Sequence, residues 1–215
     1  MKMIFSKRLV LLSVAAAALA ASLSACVPLV VGGMAGGVLM AVDRRTSGAQ
    51  LEDEGIELRG ASRLRDAFGD RVHINVTSYN RQVLLTGEVP TAQDKERAEQ
   101  TIARVENVRA IVNDLGLMAP TTLTQRSSDV LITGKVKASL VDAKDVQASS
   151  FKVITERGVV YLMGRVTQRE ANSATNIARG VGSVLKVVRV FDILTEEELQ
   201  RLGTTAAAPA AVPSK

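Results

Sequence analysis

The sequence predicts an α+β protein with two tandem αββαβ sandwich modules, preceded by a signal peptide and a flexible, lipidated tether. Two observations lead to this fold class: the chain repeats itself at a spacing of 75 to 77 residues, and both copies show helix and strand periodicities in the same order. With 215 residues, of which 47% are hydrophobic, each copy can bury a core. The single cysteine leaves no partner for an internal disulfide.

The first 25 residues are predicted to be a secretory signal peptide. Three cations, Lys2, Lys7 and Arg8, precede an apolar stretch over residues 9–21, and small residues follow it. We therefore exclude this segment from the fold. Without its three cations the remaining chain has 24 basic and 22 acidic residues, a net charge of +2.

The end of the signal peptide, Leu23-Ser24-Ala25-Cys26, resembles the lipobox of bacterial lipoproteins. The resemblance implies that the Cys26 thiol is the lipid attachment site, and that Cys26 becomes the first residue of the mature chain. A buried free cysteine behind an ordinary signal peptide is the alternative. Val27 stands where an aspartate would favour the inner membrane in enteric-type bacteria, so the same resemblance implies the periplasmic face of the outer membrane.

Residues 26–49 are predicted to be the lipidated tether. The uncharged stretch over 27–42 contains four glycines and is too short for a spanning helix of about 20 residues. The charged segment 43–45 marks the entry into the folded region. The modules follow at residues 50–118 and 125–194.

The repeat is clearest in one strand, where residues 83–89 match residues 160–166 at a spacing of 77. Before this strand, each copy has an amphipathic helix and a first strand. In the second copy the helix has Ile132, Val136 and Leu140 on one face and Asp129 as its predicted N-cap. Turns are predicted at residues 79–82 and 157–158, where Gly158 supplies a positive φ.

The second half of each copy is a helix and a last strand. The helices are predicted over residues 91–105 and 167–181, with Thr91 and Thr167 as N-caps, and the strands over 108–117 and 184–194. Residues 195–215 are predicted to be a largely disordered tail, with one helical turn over 196–202.

This pattern resembles the BON domain: an apolar strand ending in L-x-G-x-V, a helix rich in Arg and Ala, and a V-x-x-V turn into the last strand. Together with the lipobox, it resembles the dual-BON outer-membrane lipoproteins of the DolP type, which are related to the osmotically inducible BON proteins. Asn107 and Ser183 replace the glycine of the family's V-x-G-V turn, so we expect this turn to take a different φ in each copy.

The sequence contains few candidate catalytic residues. The chain has one histidine, its cysteine is assigned to lipid attachment, and no residues have metal-ligand spacing, so we expect no enzyme, no cofactor and no metal. His73 is predicted to face solvent on a strand, and the acidic residues over 52–57 to be a solvated helix end. Gly87 and Gly164 are predicted to be structural. With 3% aromatic residues, a nucleic-acid partner is also excluded.

Charge differs between the copies. Residues 50–118 carry nine basic and twelve acidic residues, a net charge of −3, whereas residues 119–194 carry eleven and six, a net charge of +5. A basic module tethered to a membrane is attracted to anionic lipid head groups. The predicted phospholipid-binding residues lie on the first helix of the second copy: Leu131, Lys135, Lys137 and Ala138.

The family resemblance agrees with this lipid-binding prediction, because it implies phospholipid binding through the second BON domain. It also implies a role in envelope integrity. Phosphatidylglycerol and cardiolipin are the anionic lipids we expect. In the alternative interpretation, Leu131 packs into the core or between the modules. A separate alternative for the function is an adaptor whose acidic first module docks envelope-assembly or division proteins.

Overall fold

The computed structural model describes residues 43–207, without the side chains of residues 203–207. The predicted signal peptide, Cys26, residues 26–42 of the predicted tether and residues 208–215 lie outside the described residues. None of the described helices is both long and apolar enough to span a membrane.

The first module has the predicted order of elements. It contains α1 (Ser47–Phe68), β1 (His73–Tyr79), β2 (Gln82–Val89), α2 (Ala92–Ala103), β3 (Ala110–Asn113) and β4 (Gly116–Leu117), with a short 3-10 helix (Gly69–Arg71) after α1. Strand β2 is central: it pairs with β1 antiparallel and with β3 and β4 parallel. The single last strand predicted over 108–117 is interrupted, because Leu115 turns into the core.

The second module repeats this topology and adds a C-terminal helix. It contains α3 (Leu123–Asp142), a short 3-10 helix (Ala148–Ser150), β5 (Phe151–Glu156), β6 (Val159–Thr167), α4 (Gln168–Gly180), β7 (Lys186–Leu194) and α5 (Glu196–Ala207). Strand β6 pairs antiparallel with β5 and parallel with β7. Helix α5 is longer than the single turn predicted over 196–202 and occupies part of the predicted tail.

Each module has its own hydrophobic core between its helices and its sheet. In the second module, Ile132, Val136 and Leu140 of α3 are buried against β5 and β6, as the spacing predicts. Gly164 is required where β6 passes β5, since a Cβ at this position would lie 2.4 Å from the Ser150 carbonyl oxygen. The equivalent approach in the first module requires Gly87.

A buried aspartate of α1 holds the first hairpin turn. The Asp53 carboxylate accepts hydrogen bonds from the backbone amides of Asn80 and Arg81, both at 2.7 Å. These two residues have φ values of 50° and 65°, as a two-residue type I′ turn requires. Asp53 is 2% exposed, so the prediction of a solvated acidic helix end is wrong at this position. Its bonds to the turn explain the burial.

Asp129 has the same role in the second module. Its carboxylate accepts hydrogen bonds at 2.8 Å from the amides of Arg157 and Gly158. It lies inside α3, so the prediction that it caps the helix is wrong. The N-cap is Thr122, which forms a reciprocal capping box with Gln125.

Asn107 and Ser183 take similar left-handed conformations, with φ values of 67° and 76°. The expectation of a different φ in each copy is therefore wrong. The connection between helix and last strand keeps the geometry for which glycine is suited, and the two side chains tolerate it at a cost in backbone strain. The predicted caps Thr91 and Thr167 are confirmed.

The sheet faces that are free of helices pack against each other and join the modules. A third buried cluster contains residues of both sheets: Tyr79, Leu84, Tyr161, Met163 and Val190. Polar contacts surround it, including the bond from the Tyr161 hydroxyl to Asp114 at 2.7 Å and the ion pair between Lys152 and Glu57 at 2.7 Å. The two modules therefore share a continuous, partly polar interface.

Candidate functional site

Helix α3 carries apolar residues on two opposite sides. One side packs into the core of the second module. The other is exposed and has four large apolar side chains with exposures of 67% to 80%: Leu123, Val130, Leu131 and Val141. We call these four residues, together with Ala138, the α3 outer stripe.

The positions of the α3 outer stripe follow helical geometry. Residues seven and eleven positions apart return to nearly the same side of an α-helix, which aligns Val130 with Leu123 and Val141. Leu131 and Ala138, seven apart, form a second row beside them. Gly134 lies between the rows, and a Cβ at this position would meet nothing within 4 Å, so the surface is open there.

The predicted lipid-binding residues all lie on or beside this surface. Leu131, Lys135, Lys137 and Ala138 are exposed. Leu131 therefore does not pack into the core or between the modules. Lys137 is four residues before Val141 and Lys135 four residues after Leu131, which places one lysine on each flank of the stripe.

The sequence interpretation missed Leu123, Val130 and Val141. Their signal is present in the sequence, because projecting residues 123–142 on a helix gives a second apolar side opposite Ile132 and Val136. A pattern apolar on both sides is usually a fully buried helix, and the tertiary structure was needed to show that this one has an open side.

The segment before α1 fastens the chain to both modules. The Arg44 guanidinium forms a bidentate ion pair with Glu170 of α4, with both nitrogen–oxygen distances at 2.7 Å and both side chains buried. Arg45 pairs with Asp53 at 2.8 Å and lies over the Tyr79 ring. Residues 43–49, which the sequence assigns to the tether, are therefore part of the folded body.

Electrostatics stabilise this attachment. Burial alone would raise the pKa of Glu170, but the hydrogen bonds and charge of Arg44 together with the Thr167 amide lower it below its ordinary value. The carboxylate is thus charged where it meets Arg44. The predicted tether is held at its C-terminal end by a buried ion pair.

His73 does not face solvent freely, contrary to the prediction. Its side chain is 20% exposed, and its Nδ1 lies 3.0 Å from Oε2 of Glu88, which is fully buried. Burial would raise the pKa of Glu88, but the Thr121 amide, Arg157 and His73 lower it. Glu156 of the second module lies close by, and the ligand atoms of His73, Glu88 and Glu156 are all within 4.8 Å of one another.

Comparison with known proteins places this architecture in a family. The model of the BON domain matches residues 53–117 and 128–195. The outer membrane lipoprotein DolP of Haemophilus influenzae is 37% identical over 174 residues, which are 80% of this chain and 90% of that protein.

Two further relatives share parts of the chain. The 21 kDa hemolysin of Actinobacillus pleuropneumoniae is 38% identical over 153 residues, or 70% of this chain and 79% of that protein. The osmotically-inducible protein Y of Escherichia coli is 42% identical over 60 residues, or 27% of this chain and 30% of that protein. The two BON matches cover more than half of the sequence, and the predicted location at the outer membrane agrees with the DolP relationship. The chain belongs to the BON-domain family, as a two-module outer-membrane lipoprotein related to DolP.

Proposed function

We propose that this protein is anchored through Cys26 to the periplasmic face of the outer membrane and binds anionic phospholipid through the α3 outer stripe. Its role is non-catalytic: it supports the integrity of the envelope by holding the second BON module at the leaflet. The observation that carries the proposal is a row of exposed apolar side chains with a lysine on each flank.

The chemistry of the α3 outer stripe suits a lipid surface. Leu131 and Val130 can enter the boundary between head groups and acyl chains, while Lys135 and Lys137 reach anionic head groups with their long side chains. Each well-placed cation contributes about 1 kcal/mol near an anionic leaflet. A contact of this size is weak alone and becomes effective next to a lipid anchor.

The tether provides the necessary proximity. From Cys26 to Asp43 there are 17 peptide links, which span at most about 60 Å when fully extended. Because Arg44 and Arg45 fix the end of the tether to the folded body, the anchor keeps α3 within reach of the leaflet. Anchoring therefore raises the effective concentration of the stripe at the membrane.

His73 supports the non-catalytic interpretation. Its hydrogen-bonding partners are the Glu88 carboxylate and the Asn75 amide, and neither is a hydroxyl or thiol that a histidine base could activate. The pair of His73 and Glu88 joins two strands of one sheet.

Flotation on vesicles tests the lipid proposal. The chain from position 26, carrying Cys26→Ser, is mixed with vesicles with and without phosphatidylglycerol or cardiolipin, at low and high salt. We expect flotation only with anionic lipid, and less of it at high salt because ions screen the attraction.

Charge reversal identifies the surface. Lys135→Glu with Lys137→Glu should weaken vesicle binding by more than about 30-fold, because loss of the two cations alone removes about 2 kcal/mol and the new carboxylates are repelled by the anionic leaflet. The matched control, Arg65→Glu with Arg71→Glu, makes the same charge change at exposed positions of the first module and should bind like the parent. Equal binding by the lysine variant and the parent would contradict the proposed surface.

The adaptor is the second candidate, and the exposed side of α1 favours it. Leu51 and Leu58 are 71% and 74% exposed and seven residues apart, with the acidic Glu54 between them. An apolar pair with acidic neighbours suits a basic protein partner. No flotation under any condition, together with capture of an envelope protein that Leu58→Asp abolishes, would favour the adaptor.

A further inference from the structure

A histidine and two carboxylates meet where the modules join. His73 and Glu88 are cross-strand neighbours on β1 and β2 of the first module, and Glu156 ends β5 of the second. Glu88 and Glu156 are 0% and 4% exposed. Positions 73, 88 and 156 have no metal-ligand spacing in the sequence, and only the packing of the two sheets brings them together.

The distances within this cluster suit a small metal ion. Zinc binds imidazole nitrogen and carboxylate oxygen at about 2.0–2.2 Å, so tetrahedral ligand atoms lie roughly 3.4 Å apart. Nδ1 of His73 is 3.0 Å from Oε2 of Glu88, and the three ligand atoms lie within 4.8 Å of one another. Side-chain adjustments on the order of 1 Å would complete the coordination.

The charges of the cluster also favour a cation. Arg157 pairs with Oε1 of Glu88 at 2.6 Å, while Oε2 faces His73. Glu156 accepts a hydrogen bond from Asn75 at 3.0 Å. Both carboxylates are buried, only Glu88 forms an ion pair with Arg157, and a divalent ion would relieve the repulsion between the two carboxylates.

A route to the cluster is present. A cavity of about 380 Å³ lies between α3, β1 and β5, and His73, Asn75 and Glu156 are among its lining residues. His73 is partly exposed, so an ion can approach without separation of the modules. A usable metal site needs such an entry path in addition to its ligands.

We propose that His73, Glu88 and Glu156 form a site for a divalent transition metal of the zinc type, which fastens the first module to the second. One nitrogen and two carboxylate oxygens are a ligand set suited to zinc, with the remaining position taken by water. Arg157 holds Oε1 of Glu88 and the Thr121 amide donates to Oε2, as groups around a metal site commonly orient its ligands. This proposal does not depend on lipid binding.

Calorimetric titration with Zn²⁺ tests the site on the chain from position 26 with Cys26→Ser, prepared without a histidine tag. We expect one ion per chain and a higher melting temperature, because the ion binds only the folded state. Mg²⁺ should not compete, since it prefers all-oxygen ligands. His73→Gln and Glu156→Gln should each weaken Zn²⁺ binding at least about 100-fold.

The matched control is Glu57→Gln. Glu57 pairs with Lys152 across the same interface but lies outside the cluster, so this variant should bind Zn²⁺ like the parent. Circular dichroism verifies that each variant is folded. Equal Zn²⁺ affinity of the parent and both ligand variants would overturn the proposal.

Nuclear magnetic resonance shows directly whether Zn²⁺ binds the His73 ring. His73 is the only histidine of the chain, so its ring gives one assignable signal. Stoichiometric Zn²⁺ should shift the resonance of one ring nitrogen of His73. A ring signal that Zn²⁺ leaves unchanged would also overturn the proposal, whatever the result of the vesicle experiment.

Discussion

The first helices of the two modules, α1 and α3, resemble each other towards the core and differ towards solvent. Each buries a row of apolar residues and an aspartate that binds a hairpin turn. On the exposed side, α1 has Leu51 and Leu58 separated by the acidic Glu54. Helix α3 instead has a longer apolar row flanked by lysines.

This difference shows which parts of the repeat are constrained by folding. The aspartate and the core row are needed in both copies, because the turn amides and the sheet face must be covered. The outer side of the helix has no such role in the fold. Its apolar residues in α3 cost solubility without adding to the core, which favours a function for that side.

The largest expected effect on stability concerns the buried aspartate that α1 and α3 share. Asp53→Ala should lower the free energy of unfolding by about 4 kcal/mol and Asp129→Ala by about 2 kcal/mol, because each leaves turn amides without an acceptor. Asp53 loses more since it also binds Ser78 and Arg45. Urea unfolding measures both values; equal losses would show that these extra bonds contribute little.

The next largest effect concerns the exposed apolar side of α3, in which the two helices differ. Val130→Asp with Leu131→Asp should weaken binding to anionic vesicles about 100-fold, since burial of such side chains contributes about 1.5–3 kcal/mol each when complete. The same change at Leu51 and Leu58, which are equally exposed, should leave flotation unaltered. If both double variants lost binding equally, the asymmetry between α1 and α3 would have no bearing on lipid.

The smallest effect compares the two strained turns. Ser183→Gly should stabilise the protein by about 1 kcal/mol, because serine is disfavoured at a φ of 76°. Asn107→Gly should change stability less, since asparagine tolerates this region better and its side chain binds Glu52. Thermal unfolding checks both; destabilisation by Ser183→Gly would mean that the hydroxyl makes a contact worth more than the strain.

Much of the fold could be predicted from local patterns. The repeat, the alternation of Val72, Ile74 and Val76, and the caps Thr91 and Thr167 all rest on interactions between residues close in the chain. Two of the errors share one origin. Asp129 and Asp53 look like helix-end residues, but their partners lie on hairpins more than twenty residues away.

The α3 outer stripe could be predicted only in part, because its complete extent depends on residues far away in the chain. Lys135, Lys137 and Leu131 could be selected from charge and helical spacing. The choice of which apolar side of α3 faces the core depends on where the sheet lies, so Val130 and Val141 could not be assigned to solvent beforehand.

The sequence by itself predicted lipid attachment at Cys26 and determined the two αββαβ copies and the excess of positive charge in the second, because these depend on residue type and short spacing. The tertiary structure decided that the free sheet faces pack together, that Arg44 reaches Glu170, and that His73 meets Glu156. These contacts join residues that are far apart in the chain, up to 126 positions for Arg44 and Glu170. Burial of apolar surface between the sheets, rather than any local preference, brings such residues together.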